Sequence, residues 1–376
     1  MRNALVVFDD ATLGGRLFAT PLITALARKI PGRNIGVACS GGTADFMRTN
    51  PYGVKVHEFD KGMMFEFEAS RRNIAAVQGI IQQGYDTAMV LPTLSCFYAW
   101  LLHDMGIGRY STWIGSGQEM SNVISANAVR FPDFKRTDDP IRLTADSTFD
   151  VSFHFPVPSG KDTKYVGDSM LDYLRVIGEE ANDPRPEIWT TPKIELQAEK
   201  YLAGLGVDKS DFLLGINLRG WAFPWSMDYV GSLAKMFNER LPKVLGGRLL
   251  KIFVNVASDQ EADFRKFCSI IGNTFPVVSS PLSGDFRLSG QMIRRCQYFV
   301  STQTGSAVMA QARNIDTPST VIYPDEVWKK GWMCPSSRVI PLISRTENIN
   351  DVPLEEVYMA TKQGIERWSM DATIQP

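Results

Sequence analysis

The chain has 376 residues, enough for two domains of ordinary size rather than one core. Hydrophobic residues make up 44% and charged residues 22%, the balance of a globular protein and not of a disordered or membrane-embedded one. Forty basic and 41 acidic residues leave a formal net charge of −1, which supplies no global attraction for nucleic acid or an anionic membrane.

Short apolar runs alternate with stretches of helical period from the first residues on. ALVVF (4–8) predicts a strand, and RLFATPLITALARKI (16–30) places apolar residues at helical spacing until Pro31-Gly32 stops it. NIGVA (34–38) is the next strand, GGTADFMRTN (41–50) a short helix ended by Pro51, and VKVHEF (54–59) a third strand. SRRNIAAVQGIIQQG (70–84) predicts a helix, DTAMVL (86–91) a fourth strand, and SCFYAWLLHDMG (95–106) a helix. The alternation implies a parallel sheet covered on both faces. From about 115 to 160 the text is polar and Pro-rich, which predicts loops or an irregular insertion. Helical text resumes at TKYVGDSMLDYLRVIG (163–178), and the Pro-rich NDPRPEIWTTP (182–192) reads as a linker.

A second series follows: FLLGIN (212–217), MDYVGSLAKMFNERL (227–241), RLLKIFVNV (248–256), DQEADFRKFCSII (259–271), FPVVS (275–279), FRLSGQMIRR (286–295), QYFVST (297–302), GSAVMAQARN (305–314) and STVIY (319–323). LEEVYMATKQGIERWSM (354–370) predicts a long amphipathic C-terminal helix. The expected fold is α/β, two doubly wound Rossmann-like domains with a cleft between them. Their bounds are 1–181, a linker at 182–192, 193–345, and a C-terminal helix in 346–376.

Five scattered cysteines (Cys39, Cys96, Cys268, Cys296, Cys334) form no CxxC pair and predict free thiols in a reducing compartment. The three histidines are far apart in sequence, which argues against a His-rich metal site. Ala4–Phe8 is too short for a secretion leader before Asp9 and Asp10, and CFYAWLL (96–102) is too short to span a bilayer. A cytoplasmic protein is expected.

In doubly wound sheets ligands bind at the carboxyl ends of the strands, which selects loops 9–15, 218–225, 257–261, 280–285 and 301–306. Loop 301–306, STQTGS, either bares backbone N–H groups to a phosphate or holds an ordinary N-cap at Thr302 or Thr304. Loop 218–225, LRGWAFPW, offers Arg219 as an anion fork. Its Trp221, Phe223 and Trp225 either stack on a base or sugar or form an aromatic plug between the domains. Loop 9–15, DDATLGG, matches neither a Walker loop nor GxGxxG. Its Gly14-Gly15 pair lets backbone approach a ligand, and Asp9 and Asp10 stand where a general base can stand. The alternative is that one aspartate caps the next helix and the other is solvated. DEVWKKGW (325–332) is a donor clamp or a surface turn; Arg71, Arg72 and Arg109 bind an anionic acceptor or form a solvated face. No Ser-His-Asp or Cys-His set follows from spacing, and the cleft loops hold no DxD metal–nucleotide signature.

Taken in order, these segments resemble glycosyltransferase family 9, the ADP-heptose:lipopolysaccharide heptosyltransferases. LGGRLFATP is similar to that family's strand–LGD–helix opening with its ATP-like triplet. PGRNIGVACSGGTADFMRTNPYGVKVHEFDKG, DPRPEIWTTPKIELQAEKYLAGLGVD and SGDFRLSGQMIRRCQYFVSTQTGSAVMAQARNIDTPSTVIYP resemble its next strand–helix–strand, its linker and its nucleotide-binding end. The likeness runs over roughly 4–345 and rests on many weak matches in register. It implies a GT-B fold of two facing domains, with the C-terminal helix returning to the first. It also implies metal-independent transfer of a heptose or other sugar from a nucleotide-diphosphate donor, ADP-linked in that family, with no further cofactor. The acceptor is a glycan, lipid-linked or protein group, and the family's setting allows peripheral contact at the inner face of a membrane; polymeric nucleic acid is not expected.

The departures fall on side chains. Gly15 stands where the family has its catalytic Asp, Phe223 where it has a phosphate-binding Lys, Gln303 where its DTG turn has Asp, and Val308 where it has His. The resemblance then makes Asp10 or Asp9 the substitute base. Arg219, Trp221, Glu261, Thr302, Gln303, Thr304, Gly305, Ser306 and Lys329 become donor contacts, and Gly14, Gly15, Arg16 and Arg109 acceptor contacts. A catalytically degenerate nucleotide-sugar-binding protein is the alternative; a transferase acting on other polymers and an epimerase sharing only the fold are further ones.

Overall fold

The computed structural model describes residues 3–8, 13–30, 32, 34–60, 70–91, 102, 105–107, 109–113, 142–146, 149–154, 164–174, 178–218, 220, 223–282, 285–335 and 337–369. The chain divides into two compact units, Met1–Pro184 and Arg185–Pro376. The division falls inside the stretch read as a linker.

The first unit carries a seven-stranded sheet in the order β3-β2-β1-β4-β5-β7-β6. Its strands are β1 (Ala4–Val7), β2 (Ile35–Ser40), β3 (Lys55–Phe59), β4 (Thr87–Val90), β5 (Arg109–Trp113), β6 (Arg142–Asp146) and β7 (Phe149–His154). All neighbours are parallel except β6 and β7. β1, β2 and β4 are buried along their length, as strands covered on both faces must be. Within 115–160, where loops or an irregular insertion were expected, residues 142–146 and 149–154 are the strands β6 and β7, and the remainder lies outside the described residues. The two strands form an antiparallel pair across residues 147–148, and β7 extends the parallel sheet beside β5. The polar text hid them because an edge pair needs no continuous apolar run. The helix expected at 95–106 lies largely outside the described residues.

Helix α1 (Leu13–Lys29) keeps its length despite Pro21 in its interior. Pro21 has no N–H for the carbonyl of Leu17 four residues back. The buried Thr20 hydroxyl supplies that bond, Oγ1 to Leu17 O at 2.6 Å. α2 (Gly41–Met47), α3 (Arg71–Gln83) and α4 (Val166–Asp172) complete the described helices of this unit. α3 starts on Ser70, whose Oγ accepts from Asn73 N at 3.1 Å, and stops at Gly84 with φ 60°. α4 packs on α1, with the Phe18 and Tyr165 rings 5.8 Å apart.

The second unit carries a six-stranded, all-parallel sheet in the order β10-β9-β8-β11-β12-β13. Its strands are β8 (Phe212–Asn217), β9 (Leu250–Asn255), β10 (Val277–Ser279), β11 (Tyr298–Thr302), β12 (Ser319–Tyr323) and β13 (Val339–Ile343). Numbered within the unit this is the doubly wound order 3-2-1-4-5-6, and strand order reverses between β8 and β11. The helices are α5 (Pro192–Gly204), α6 (Met227–Arg240), α7 (Glu261–Ile271), α8 (Phe286–Arg295), α9 (Gly305–Gln311), α10 (Glu326–Trp332) and α11 (Leu354–Gly364). One core joins Leu214, Ile216, Val254 and Val300 of the sheet to Phe237 of α6 and to Val357 and Ile365 at the C-terminus.

Helix α11 is tied into the second unit. Tyr229 of α6 donates from its hydroxyl to Val352 O at 2.7 Å, Arg240 pairs with Glu355 at 2.6 Å, and α11 packs against β12 and β13. The linker text is also largely fixed. Arg313 N–H donates to Pro186 O at 2.8 Å. The Asn314 side chain pairs both ways with the Ile188 backbone, at 3.0 and 2.8 Å. Glu187, 6% exposed, pairs with Arg313 and accepts from Trp189 Nε1 at 2.9 Å. Residues 186–189 are therefore a strap on the end of α9.

Candidate functional site

The carboxyl ends of β8, β9 and β11 meet at the reversal point of the second sheet. β8 and β9 each end an apolar run in asparagine, and Asn217 and Asn255 are register partners. Asn217 is 3% exposed and its Nδ2 has no partner. Asn255 Nδ2 donates to Ser306 Oγ at 2.8 Å, and its Oδ1 has no partner.

β11 runs into the turn Ser301–Ser306. Ser301 Oγ donates to Thr302 O at 2.7 Å and lies 3.3 Å from Thr304 Oγ1. Thr304 caps α9 by accepting from Ala307 N at 3.4 Å. Gln303 N–H donates to Ile322 O at 2.9 Å, tying the turn to β12. Thr302 Oγ1 and Gln303 Oε1 are buried without a partner. Each buried polar atom left unpaired costs about 1–3 kcal/mol, and four of them, unpaired among the described residues, gather at one sheet end, where a polar ligand would satisfy them. Every side chain gathered here is an amide or a hydroxyl, so the described part of the site is neutral.

Gly220 crosses over this turn. A Cβ on it would stand 2.6 Å from Thr304 Cγ2 and 2.9 Å from both Thr302 Oγ1 and Phe223 O. Only glycine lets the backbone at 220 lie so close. The Phe223 ring meets Trp328 edge-on at 4.7 Å, and Trp328 stacks on Trp332 at 5.9 Å. Trp328 and Trp332 in turn pack on Ala307, Val321 and Tyr323. The aromatic ladder thus holds α10 beside the turn. Trp225 is a plug, not a stacking surface: it is 2% exposed and its Nε1 donates to Asn217 O at 3.1 Å and Leu218 O at 2.8 Å.

Of the residues expected to bind a donor, Thr302, Gln303, Thr304, Gly305 and Ser306 are contiguous in this turn. Lys329 lies on α10 next to Trp328 and pairs with Glu326 at 3.3 Å. Glu261 opens α7 with a half-exposed side chain that pairs with Arg265 at 3.5 Å; among the described residues no contact joins it to the turn. Arg219 and Trp221 lie outside the described residues, as do Asp9 and Asp10. Gly14 and Gly15 sit in the first turn of α1. Arg16 follows, its Nη2 3.4 Å from where a Cβ on Gly42 would stand, at the start of α2. Arg109 begins β5 opposite Thr87. Arg72 is ion-paired, with Glu58 at 3.3 Å and Asp60 at 3.2 Å. Asn217 and Asn255 were missed by the loop-based reading. The available signal was an asparagine closing each of two apolar strands.

No family model matches the sequence, and no curated protein sequence matches it. Solved structures do. A glycosyl transferase family 9 protein from Veillonella parvula superposes with a TM-score of 0.68 at 14% identity, over 97% of this chain and 97% of that one. The E. coli ADP-heptose lipopolysaccharide heptosyltransferase II gives 0.66 at 10% identity, over 99% and 100%. The E. coli heptosyltransferase WaaC, solved with ADP, gives 0.60 at 11% identity, over 96% and 99%. From end to end the chain therefore has the GT-B-like fold of the family 9 glycosyltransferases that its ordered segments resemble.

Proposed function

We propose that the protein is a glycosyltransferase that moves a sugar from a nucleotide-diphosphate donor, without a metal ion, to a glycan, lipid-linked or protein acceptor. The observation that carries this is the set of unpartnered buried polar atoms at the reversal point of the second sheet, in a fold shared along its whole length with heptosyltransferases. In this reading the turn 302–306 faces the diphosphate, with Arg219 and Lys329 as its cations. Glu261 contacts the ribose. Asp10 or Asp9 takes the proton of the acceptor hydroxyl, and Gly14, Gly15, Arg16 and Arg109 line the acceptor side. Transfer needs such a base and stabilisation of the leaving diphosphate charge. Two of the solved relatives carry ADP or an ADP-linked heptose analogue, which makes an ADP-linked donor the first to try.

The test is release of nucleoside diphosphate from a panel of ADP-, UDP-, GDP- and dTDP-sugars, with and without a chelator and with candidate acceptors. Turnover that survives the chelator and falls at least about a hundredfold in the Asp9→Asn/Asp10→Asn double variant supports the reading, since a general base contributes on that order. Turnover untouched by the double variant removes the base assignment. A second reading, binding without transfer, is favoured by Gly15, Phe223 and Val308 at the family's Asp, Lys and His positions. It is the outcome if a donor raises the melting temperature and is neither hydrolysed nor transferred.

A further inference from the structure

The hydroxyls of the turn are not equivalent. Those of Ser301 and Thr304 are used by the turn itself, one on Thr302 O and one as the cap of α9. Ser306 differs. Its Oγ accepts from Asn255 Nδ2 at 2.8 Å, and this is its only hydrogen bond among the described residues, so its proton is left to donate elsewhere. Asn255 is 6% exposed, Ser306 8%, and Asn217, the register partner of Asn255, 3%. In a parallel sheet register partners project to one face, so Asn217 Nδ2 joins Ser306 on the same side. The next residues of α9, Ala307, Val308, Met309 and Ala310, are apolar and buried and offer no polar side chain.

We propose that Asn255 is a positioning residue that aims the Ser306 hydroxyl at a phosphate oxygen of a bound glycosyl diphosphate, with Asn217 Nδ2 as a second donor. This rests on the nucleotide-sugar reading and adds to it the residues that read the ligand. The chemistry of the ligand follows from matching. Ser306 Oγ–H and Asn217 Nδ2–H need acceptors, which phosphate oxygens supply. Asn255 Oδ1 and Gln303 Oε1 need donors, which ring hydroxyls supply. A bare phosphate leaves the two oxygens orphaned, and an apolar ligand leaves all four groups so. A sugar or ribose joined to a diphosphate satisfies them together. This neutral pair then stands in for the charged side chains that Phe223 and Val308 cannot provide.

The test is calorimetric titration of the full chain with ADP, GDP, UDP and inorganic pyrophosphate, with circular dichroism confirming the fold of each variant. Ser306→Ala is expected to weaken the best nucleoside diphosphate about tenfold, the size of one hydrogen bond to a charged group, while Ser306→Thr stays within about threefold. Asn255→Ala should match Ser306→Ala, and the double variant should be no weaker than either, because the two act as one unit. Asn255→Asp reverses the side-chain bond, so that Ser306 donates to the carboxylate, and also brings a negative charge towards the phosphates; both effects predict a loss at least as large as in Ser306→Ala, and parent-like binding in this variant overturns the aiming role. Pyrophosphate should bind more weakly than the nucleoside diphosphate. Nucleotide binding that is unchanged in Ser306→Ala, or losses that add in the double variant, overturns the proposal alone. If the unmodified chain binds none of the nucleotides, the nucleotide-sugar reading falls and the proposal falls with it.

Discussion

His57 shows how burial fixes a protonation state in the first unit. Its Nε2 lies 2.9 Å from the Tyr85 hydroxyl inside the sheet–helix layer, and desolvation, helped by the charge of Lys55, lowers its pKa to about 4. The folded chain therefore binds this proton less readily than the unfolded chain does. Between about pH 6.5 and pH 4 the unfolded state is the more protonated, so stability is full above that window and lost as pH falls through it. The loss should reach about 2 kcal/mol once solvent screening is allowed for, and His57→Gln should flatten it; urea midpoints from pH 4 to 7 measure both. Gly220 gives a second test at this scale. Gly220→Ala places a methyl 2.6 Å from Thr304 Cγ2, so the segment and the turn must separate. Nucleotide affinity should fall at least about tenfold while stability moves by about 1 kcal/mol, as expected of a change outside the main core. Affinity equal to that of the parent chain removes the turn from the site. The STQTGS turn between β11 and α9 could be read from the sequence because small residues after an apolar strand are a local signal, whereas Gly14 and Gly15, read as part of a loop, belong to the first turn of α1. Asn217 and Asn255 leave a fainter trace, an asparagine closing each of two apolar strands, and their pairing shows only when β8 and β9 are set in register.

At the scale of elements, α1 carries one substitute hydrogen bond, from Thr20, and the 186–189 strap is held by several bonds that include a buried ion pair. Thr20→Val leaves the buried carbonyl of Leu17 without a donor and should cost about 1–3 kcal/mol, with Thr20→Ser recovering most of it in denaturant titrations. A full-strength Thr20→Val variant would mean that water replaces the hydroxyl. Glu187→Ala leaves Arg313 without its buried partner and should cost about 3 kcal/mol, and faster proteolysis near 185–192 would report release of the strap. The strands and helices with strong apolar period, such as 212–217 and 227–241, were legible as they stand. β6 and β7 were not, since their polar residues carry no continuous run, and neither was the strap, whose prolines signal a break in structure whether or not side chains tie it down.

For the whole molecule, alternation and segment order carried the fold, and solved structures sharing only 10–14% identity bear the same one. Fold survives such divergence because it asks only for apolar period and turn chemistry at each position, whereas chemistry asks for particular side chains at a few. That is why the architecture was readable from segment order alone. The second unit encloses its own core, including its C-terminal helix over its described length. Residues 185–376 alone should accordingly unfold in one cooperative transition and keep the nucleotide affinity of the full chain within about threefold; a non-cooperative melt would show that the core needs the first unit. The strap bears on how such chains recombine. Because Pro186, Glu187 and Ile188 are held by Arg313 and Asn314, a crossover that swaps first units must fall before Arg185. A join placed after Pro192, where composition suggests one, would carry over a foreign strap with no matching clasp, so an exchanged second unit should keep residues 185–192 with it.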